Sequence, residues 1–347
     1  MPVIEDEPIE DGPIEGGRIE GDSIEDGSKP VDAVTFDRRS ARGSILSIGA
    51  VMVDVVCHVP RLPERGEGVV VSRREMVAGG CAFNSANVIR QLGQPGFLFA
   101  PIGSGIFSDF VRGELAARNL EALEIETELD CGSCTCLVEP DGERTMVTSP
   151  GIERCFELSW FEGIDAGRFG KALASGYEIE GAGGEAIISF LEAHPEIEFY
   201  YAPGPRIKGV GPEKTARINA LRPVWHLNDL EAMAYTGRSS VEEAARAIEA
   251  QSGNAVVITE GSQGAHLYAS GEHLFVPTEP VDPVDTVGAG DAHLGALVAA
   301  RNAGLCWGDS LGLANKVAGA VCMVPGGTMS DEAFSRLRES LERDAIR

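Results

Sequence analysis

The stretch Asp285-Thr286-Val287-Gly288-Ala289-Gly290-Asp291, followed by an apolar run from His293 to Ala300, holds the residues best spaced for chemistry. Small residues directly before a helix leave the backbone N–H groups of Gly288, Ala289, Gly290 and Asp291 aimed at one point, where the helix dipole adds positive potential. An anion suits that point. Asp291, set where the amides converge, is poorly suited to bind an anion but well placed to accept a proton from a hydroxyl attacking one. An anion cradle beside a base is what phosphoryl transfer to an alcohol requires. An isolated Gly-x-Gly would more readily be read as a turn that lets a helix pack tightly on a strand.

The elements that must position this turn are legible as a pattern. Ser44 to Asp54 is nearly all apolar and reads as a strand buried on both faces of a parallel sheet, with its one acid at the end. Ligands collect beyond the carboxyl ends of such strands, so Asp54 is either a ligand-site group or a solvated loop carboxylate. Gly79-Gly80 turns the chain into a helix, Ala82 to Leu92, with Asn84 in its first turn. The glycine pair permits close backbone approach to a polyol, and Asn84 offers a donor and an acceptor to vicinal hydroxyls. Further on, apolar strands at 199–201, 224–227 and 255–259 alternate with helical stretches near 184–194, 213–221 and 240–252. Alternation of this kind predicts an α/β fold with a Rossmann-like, mostly parallel sheet flanked by helices. Asn228 and Glu231 follow a strand end at i and i+3. They share one face of a helix start, where they suit a water-coordinated magnesium beside phosphates, an N-cap with a capping box, or both. Extended segments at about 67–78 and 134–148, the second with the turn Pro140-Asp141-Gly142-Glu143, read as extra strands outside the main sheet.

Composition bounds this reading without deciding it. A chain of 347 residues with 43% hydrophobic residues can bury a large core. In residues 1–43, Ile-Glu pairs recur every five residues among Asp, Gly, Pro and Ser. That period suits neither helix nor strand, and the expectation is a disordered acidic tail. The net charge of −25 argues against a nucleic-acid surface. No run approaches the length of a membrane span, and the acidic start does not resemble a secretory signal, so a cytoplasmic protein is expected. Of the eight cysteines, Cys131, Cys134 and Cys136 are clustered, but no second Cys or His pair follows at zinc-site spacing, and reduced structural thiols are expected. Neither a P-loop nor a Gly-x-Gly-x-x-Gly dinucleotide fingerprint is present.

Three motifs in order resemble the ribokinase family, also called the PfkB family of carbohydrate kinases: Gly79-Gly80-x-x-x-Asn84, Asn228-x-x-Glu231 and Asp285-Thr286-x-Gly288-Ala289-Gly290-Asp291. The resemblance runs from Ser44 to the C-terminus. It implies a ribokinase-like fold with a small β-strand lid formed by the 67–78 and 134–148 segments, which in relatives covers the sugar and often clasps a homodimer. It implies ATP-dependent phosphorylation of a hydroxyl, usually a hydroxymethyl, of a small sugar or sugar acid. Asp291 would be the base, with Gly288, Ala289 and Gly290 as the anion hole, and Asp54, Gly79, Gly80 and Asn84 would hold the substrate. Thr259, Gly261 and Gly264, in a Thr-x-Gly-x-x-Gly turn, would contact ATP together with Asn228. Asn315 resembles a residue beside the adenine. Mg2+ would be held through water by Asn228 and Glu231, and a monovalent cation such as K+ near Asp285 and the Val287 carbonyl.

A nucleoside kinase of the adenosine or pseudouridine type stays open, as does a sensor that binds without turnover. Several positions depart from the pattern. Cys81 stands where several relatives carry Lys, which tilts the reading towards an uncharged sugar or nucleoside. Gly103 to Ser108 lacks the Asp of the family's Gly-x-Asp-x-x-Gly, His293 replaces a common Phe, and Pro203 follows Ala202 where Asp is frequent.

Overall fold

The computed structural model describes residues 43–344, so the acidic N-terminal repeat lies outside the described residues. The single strand expected over 44–54 is two. β1 (Ser44–Ile48) is buried, the chain turns at Gly49, and β2 (Met52–His58) departs into a different sheet. Gly49 has φ +152, and a Cβ there would lie 2.9 Å from the Glu178 carboxyl group, so only glycine makes this exit easily. Both segments are apolar because each packs on a core. Periodicity alone therefore missed the break, and Asp54 sits in the middle of a strand of that second sheet, not at the end of a main-sheet strand.

β3 (Arg73–Gly79) pairs antiparallel with β2. It begins at Arg73, later than the expected 67, because residues 68–71 have no strand beside them, and Val70 is 83% exposed. α1 (Cys81–Gln91) then leads to β4 (Gly96–Phe99), which lies parallel to β1. A small parallel pair, β5 (Pro101–Ile102) and β6 (Leu123–Glu124), brackets α2 (Ile106–Ala117). Asp130 supplies the cap that the departed Gly-x-Asp motif lacks. Its carboxylate accepts the backbone N–H groups of Phe107 and Ser108 at the start of α2. β7 (Ser133–Val138) and β8 (Arg144–Ser149) complete a second, four-stranded sheet in the order β3-β2-β7-β8, which holds the segments expected to form the lid.

The remaining chain alternates as expected. β9 (Phe169–Ser175), α3 (Gly176–Glu180), α4 (Gly184–Ala193), β10 (Glu198–Ala202), α5 (Pro212–Ala220), β11 (Val224–Asn228), α6 (Asp229–Thr236), α7 (Val241–Ser252) and β12 (Val256–Thr259) build the parallel part of an eight-stranded sheet. The hairpin β13 (Gly264–Ala269) and β14 (Glu272–Pro277) adds an antiparallel edge, giving the order β14-β13-β12-β11-β10-β9-β1-β4. α8 (Ala289–Asn302), α9 (Trp307–Cys322) and α10 (Asp331–Asp344) follow. Successive strand residues point to opposite faces, so Tyr201 enters the core beneath α4 and α7 while neighbouring Tyr200 enters that beneath α1, α8 and α9. The fold is α/β with a mostly parallel sheet flanked by helices.

One contact between helices sets the geometry of everything that follows. A Cβ on Gly295 of α8 would lie 2.6 Å from the Ser85 carbonyl oxygen of α1, and the Ser85 hydroxyl donates to the Asp291 carbonyl at 2.9 Å. Gly295→Val should therefore force α1 and α8 apart and cost about 1–3 kcal/mol of stability in chemical denaturation. Gly290→Ala, where a Cβ meets no atom within 4 Å, should leave stability unchanged or slightly raised. Equal losses in the two variants would mean that the α1–α8 contact is not the tight one.

Candidate active site

The turn before α8 has the form its sequence demands. Gly288 is the N-cap at φ +74, and a Cβ there would lie 2.5 Å from the backbone of Gly327. At Gly290 the space is open, which leaves room for a group at the helix end. Asp291 stands in the first turn of α8, where the Asn84 amide nitrogen donates to its Oδ2 at 2.9 Å. Burial pushes the Asp291 carboxyl up from its ordinary value, while the hydrogen bonds from Asn84 and Cys81 pull it back. A carboxyl raised in this way has a higher affinity for a proton, which suits a base.

The residues expected to hold a substrate gather around the glycine pair. A Cβ on Gly79 would lie 2.3 Å from Asp54 Oδ2, so the absence of a side chain there is what admits the Asp54 carboxylate. Gly80 has φ +112, and a Cβ would lie 2.6 Å from the Ala50 carbonyl oxygen. Asp54 is half-buried, and burial pushes its pKa up to about 6. A third carboxylate, Glu178 of α3, was not expected. It is 2% exposed, accepts the Ala50 N–H at 2.9 Å and the Ser175 hydroxyl, and is pushed upward by burial, with a smaller push from the Asp291 charge. The rule that pointed to Asp54, an acid just past a buried strand, applies with more justice to Ser175-Gly176-Tyr177-Glu178 after β9. Cys81 completes the group, its thiol pushed well up by burial and by the neighbouring Asp291 and Glu178 charges.

Asn228 and Glu231 form a complete capping box on α6. Asn228 Oδ1 accepts the Glu231 N–H at 2.7 Å, and Glu231 Oε2 accepts the Asn228 N–H at 3.1 Å. Burial, the first cause, raises the Glu231 carboxyl, with Asp229 and Asp291 adding to it, so this carboxylate feels the charge of Asp291. Thr259 ends β12 directly beside Asn228, in register across the two parallel strands. Gly261 sits at φ +51 in open space, whereas at Gly264 a Cβ would lie 2.2 Å from the Val276 carbonyl oxygen, so pairing with β14 demands that glycine.

Asn315 is buried. Its amide nitrogen donates to the Val276 carbonyl at 2.9 Å, and its Oδ1 lies 3.2 Å from His293 Nε2. The amide is thus engaged within the fold. Asp285 is also engaged: Oδ1 accepts the Val287 N–H at 3.0 Å, and Oδ2 accepts the Gly326 N–H at 2.9 Å and Arg144 Nη2 at 2.7 Å. Arg144, on lid strand β8, had no expected role.

The profile of the pfkB family carbohydrate kinases matches residues 42–333. The chain belongs to this family. It is 30% identical over 292 residues to the Escherichia coli (strain K12) protein named "Uncharacterized sugar kinase YegV", covering 83% of this chain and 91% of that one. It is 26% identical over 286 residues to the ribokinase of Bacillus subtilis (strain 168), covering 80% and 93%. The fold matches the crystal structure of adenosine kinase from Sinorhizobium meliloti with a TM-score of 0.75, at 17% identity over 86% of this chain and all (100%) of that one. In this carbohydrate kinase Asp291 and the helix-end turn stand against Asn84 and the Gly79-Gly80 pair. No helix among the described residues is long and apolar enough to cross a membrane.

The Asn84–Asp291 bond favours the charged form of the base, so Asn84→Ala should raise the Asp291 pKa. The acid limb of the kcat profile should then move to higher pH, which steady-state kinetics across pH 4–8 would register. A limb that stays in place would separate Asn84 from the ionisation of Asp291.

Proposed function

We propose that this kinase transfers the γ-phosphoryl group of ATP to a hydroxymethyl group of an uncharged sugar. The observation that carries the reading is the Asn84 amide. Its nitrogen holds Asp291, while its Oδ1 is buried without a partner among the described residues. A buried acceptor left open is costly unless a ligand fills it, and a sugar hydroxyl is the donor that fits. Asp291 takes the proton of a neighbouring hydroxyl as that oxygen attacks phosphorus. The N–H groups of Gly288 to Asp291 face the charge that builds on the transferred group.

The charge of the acceptor pocket decides among substrates. Asp54, Glu178 and Asp291 are all carboxylates with upward-shifted pKa values, and Cys81 stands among them where a Lys would have supplied a cation. Arg206 lies 5.0 Å from the Tyr177 ring centroid and pairs with Glu180. A phosphate or carboxylate on the substrate would add repulsion to this set, so the neutral sugar is favoured over the sugar acid. A free nucleoside presents the same hydroxymethyl and is the second reading. A binding sensor has no use for a buried base, which Asp291 supplies.

Glu231, with one carboxylate oxygen not used by its capping bond, and Asn228 fit a water-coordinated magnesium, which would supply neutralisation of the phosphate charge. The exposed residues Met146 and Val147 on the outer lid strand are where the dimer expected from the lid would form.

ATP consumption over a panel of neutral sugars, sugar acids, sugar phosphates and nucleosides tests the class, with neutral sugars expected to be turned over fastest. Fastest turnover of a sugar acid would overturn the charge argument. Asp291→Asn should lower turnover by about two orders of magnitude or more with ATP binding kept. Asp54→Ala should weaken sugar binding by about 1.5–3 kcal/mol at unchanged ATP affinity in titration calorimetry. Near-normal turnover in the first variant would remove Asp291 as base.

A further inference from the structure

The family resemblance places a monovalent cation beside Asp285, and the residues present do not fit one. Asp285 is 5% exposed and already receives three N–H donors. Two are backbone amides, Val287 and Gly326, which tie the turn before α8 to the segment that packs on Gly288 through Gly327. The third is the guanidinium of Arg144, a permanent cation. Arg144 is the first residue of β8, held opposite Val138 across the lid hairpin, and reaches down from the lid to the turn. A metal ion on the same carboxylate would sit within a few ångströms of that guanidinium and be repelled by it.

We infer that Arg144 takes the place of a monovalent cation at Asp285, so that closing the lid delivers the positive charge that completes this kinase's site. The physical need is clear from the geometry. Asp285 lies three residues before Gly288, and an uncompensated buried carboxylate there would oppose the phosphate charge that the helix-end amides collect. With the lid lifted, Asp285 keeps its two amides but loses its ion pair with Arg144. Charge compensation and lid closure are then one event. Cys136, on the neighbouring strand, registers both charges: burial pushes its thiol up, while Arg144 pulls it down and Asp285 pushes it up.

This inference rests on the kinase reading above, and the test keeps the two apart. The full-length protein and its Arg144→Gln and Arg144→Lys variants are assayed with the preferred sugar in potassium, sodium and choline chloride at equal ionic strength, and melted in the same salts without substrate. Wild-type turnover and melting temperature should be the same in all three salts. In choline, Arg144→Gln should lose about ten- to a hundredfold in turnover. Potassium should restore much of that loss and raise the variant's melting temperature, and Arg144→Lys should lose less. A wild-type enzyme that needs potassium, or melts higher in it than in choline, overturns the inference, as does an Arg144→Gln enzyme unimpaired in choline. If no acceptor is phosphorylated, the kinase reading fails and the melting comparison alone decides the role of Arg144.

Discussion

The site depends on how closely the first turns of α1 and α8 approach each other. Asn84 and Asp291 are separated by 207 positions in the chain, yet their side chains meet at 2.9 Å. Neither helix could bring them together alone. Gly295 removes the side chain that would hold the helices apart, and the Ser85 hydroxyl fixes their relative height through the Asp291 carbonyl. A helix contact of this kind cannot relax by rotating a rotamer, since the atom that would be struck is a backbone oxygen. Asp291 is therefore positioned by packing in the middle of its helix and by an amide from α1. Both act before any substrate arrives, and preorganisation of this sort gives an electrostatic site its advantage over water.

Around that contact the protein collects negative charge in an apolar setting. Asp54, Glu178 and Asp291 come from a lid strand, a short helix after β9 and the start of α8, so no local sequence feature groups them. Each is offset by a specific donor or by a gap shaped for it. Glu178 has the Ala50 N–H and the Ser175 hydroxyl, Asp291 has the Asn84 amide, and Asp54 occupies the space left by the missing side chain of Gly79. On the other side of the turn, Asp285 is compensated in full by two amides and Arg144. Asp291 has one amide donor and Glu178 an amide and a hydroxyl, whereas Asp285 also has a guanidinium.

Much of this was legible in the sequence, and the misses have a common cause. The Gly288–Asp291 turn, the Gly79-Gly80 pair and the alternation of strands and helices after Ser175 are local, since each depends on residues adjacent in the chain. The split of 44–54 into two strands was hidden because both halves are buried, so an apolar run carried no sign of the turn at Gly49. Glu178 and Arg144 were missed for another reason. Their roles come from partners far away in sequence, Ala50 for one and Asp285 for the other, and only the fold supplies those neighbours. Asn315, expected beside the adenine, has both atoms of its amide bonded inside the protein, to the Val276 carbonyl and to His293.

The departure at His293 shows how a polar residue can replace an apolar one in this core. Asn315 spends its nitrogen on the Val276 carbonyl, so its oxygen must accept from His293 Nε2. His293 Nδ1 is then the acceptor for a proton on His226 Nε2, at 2.8 Å, and both rings are fixed as neutral tautomers. Burial pushes His226 well down and His293 to about 4. Below the ordinary histidine value of 6.5 the unfolded chain gains protons that the folded chain refuses, so the stability this pair contributes is full above 6.5 and is lost as pH falls through about 4. Asp54 runs the opposite way. With a folded pKa of about 6 against 3.8, it favours the folded state in acid and loses that contribution as pH rises through about 6. The two effects overlap in the same window with opposite sign, so the cost of keeping Asp54 charged at neutral pH falls where the histidine pair contributes most.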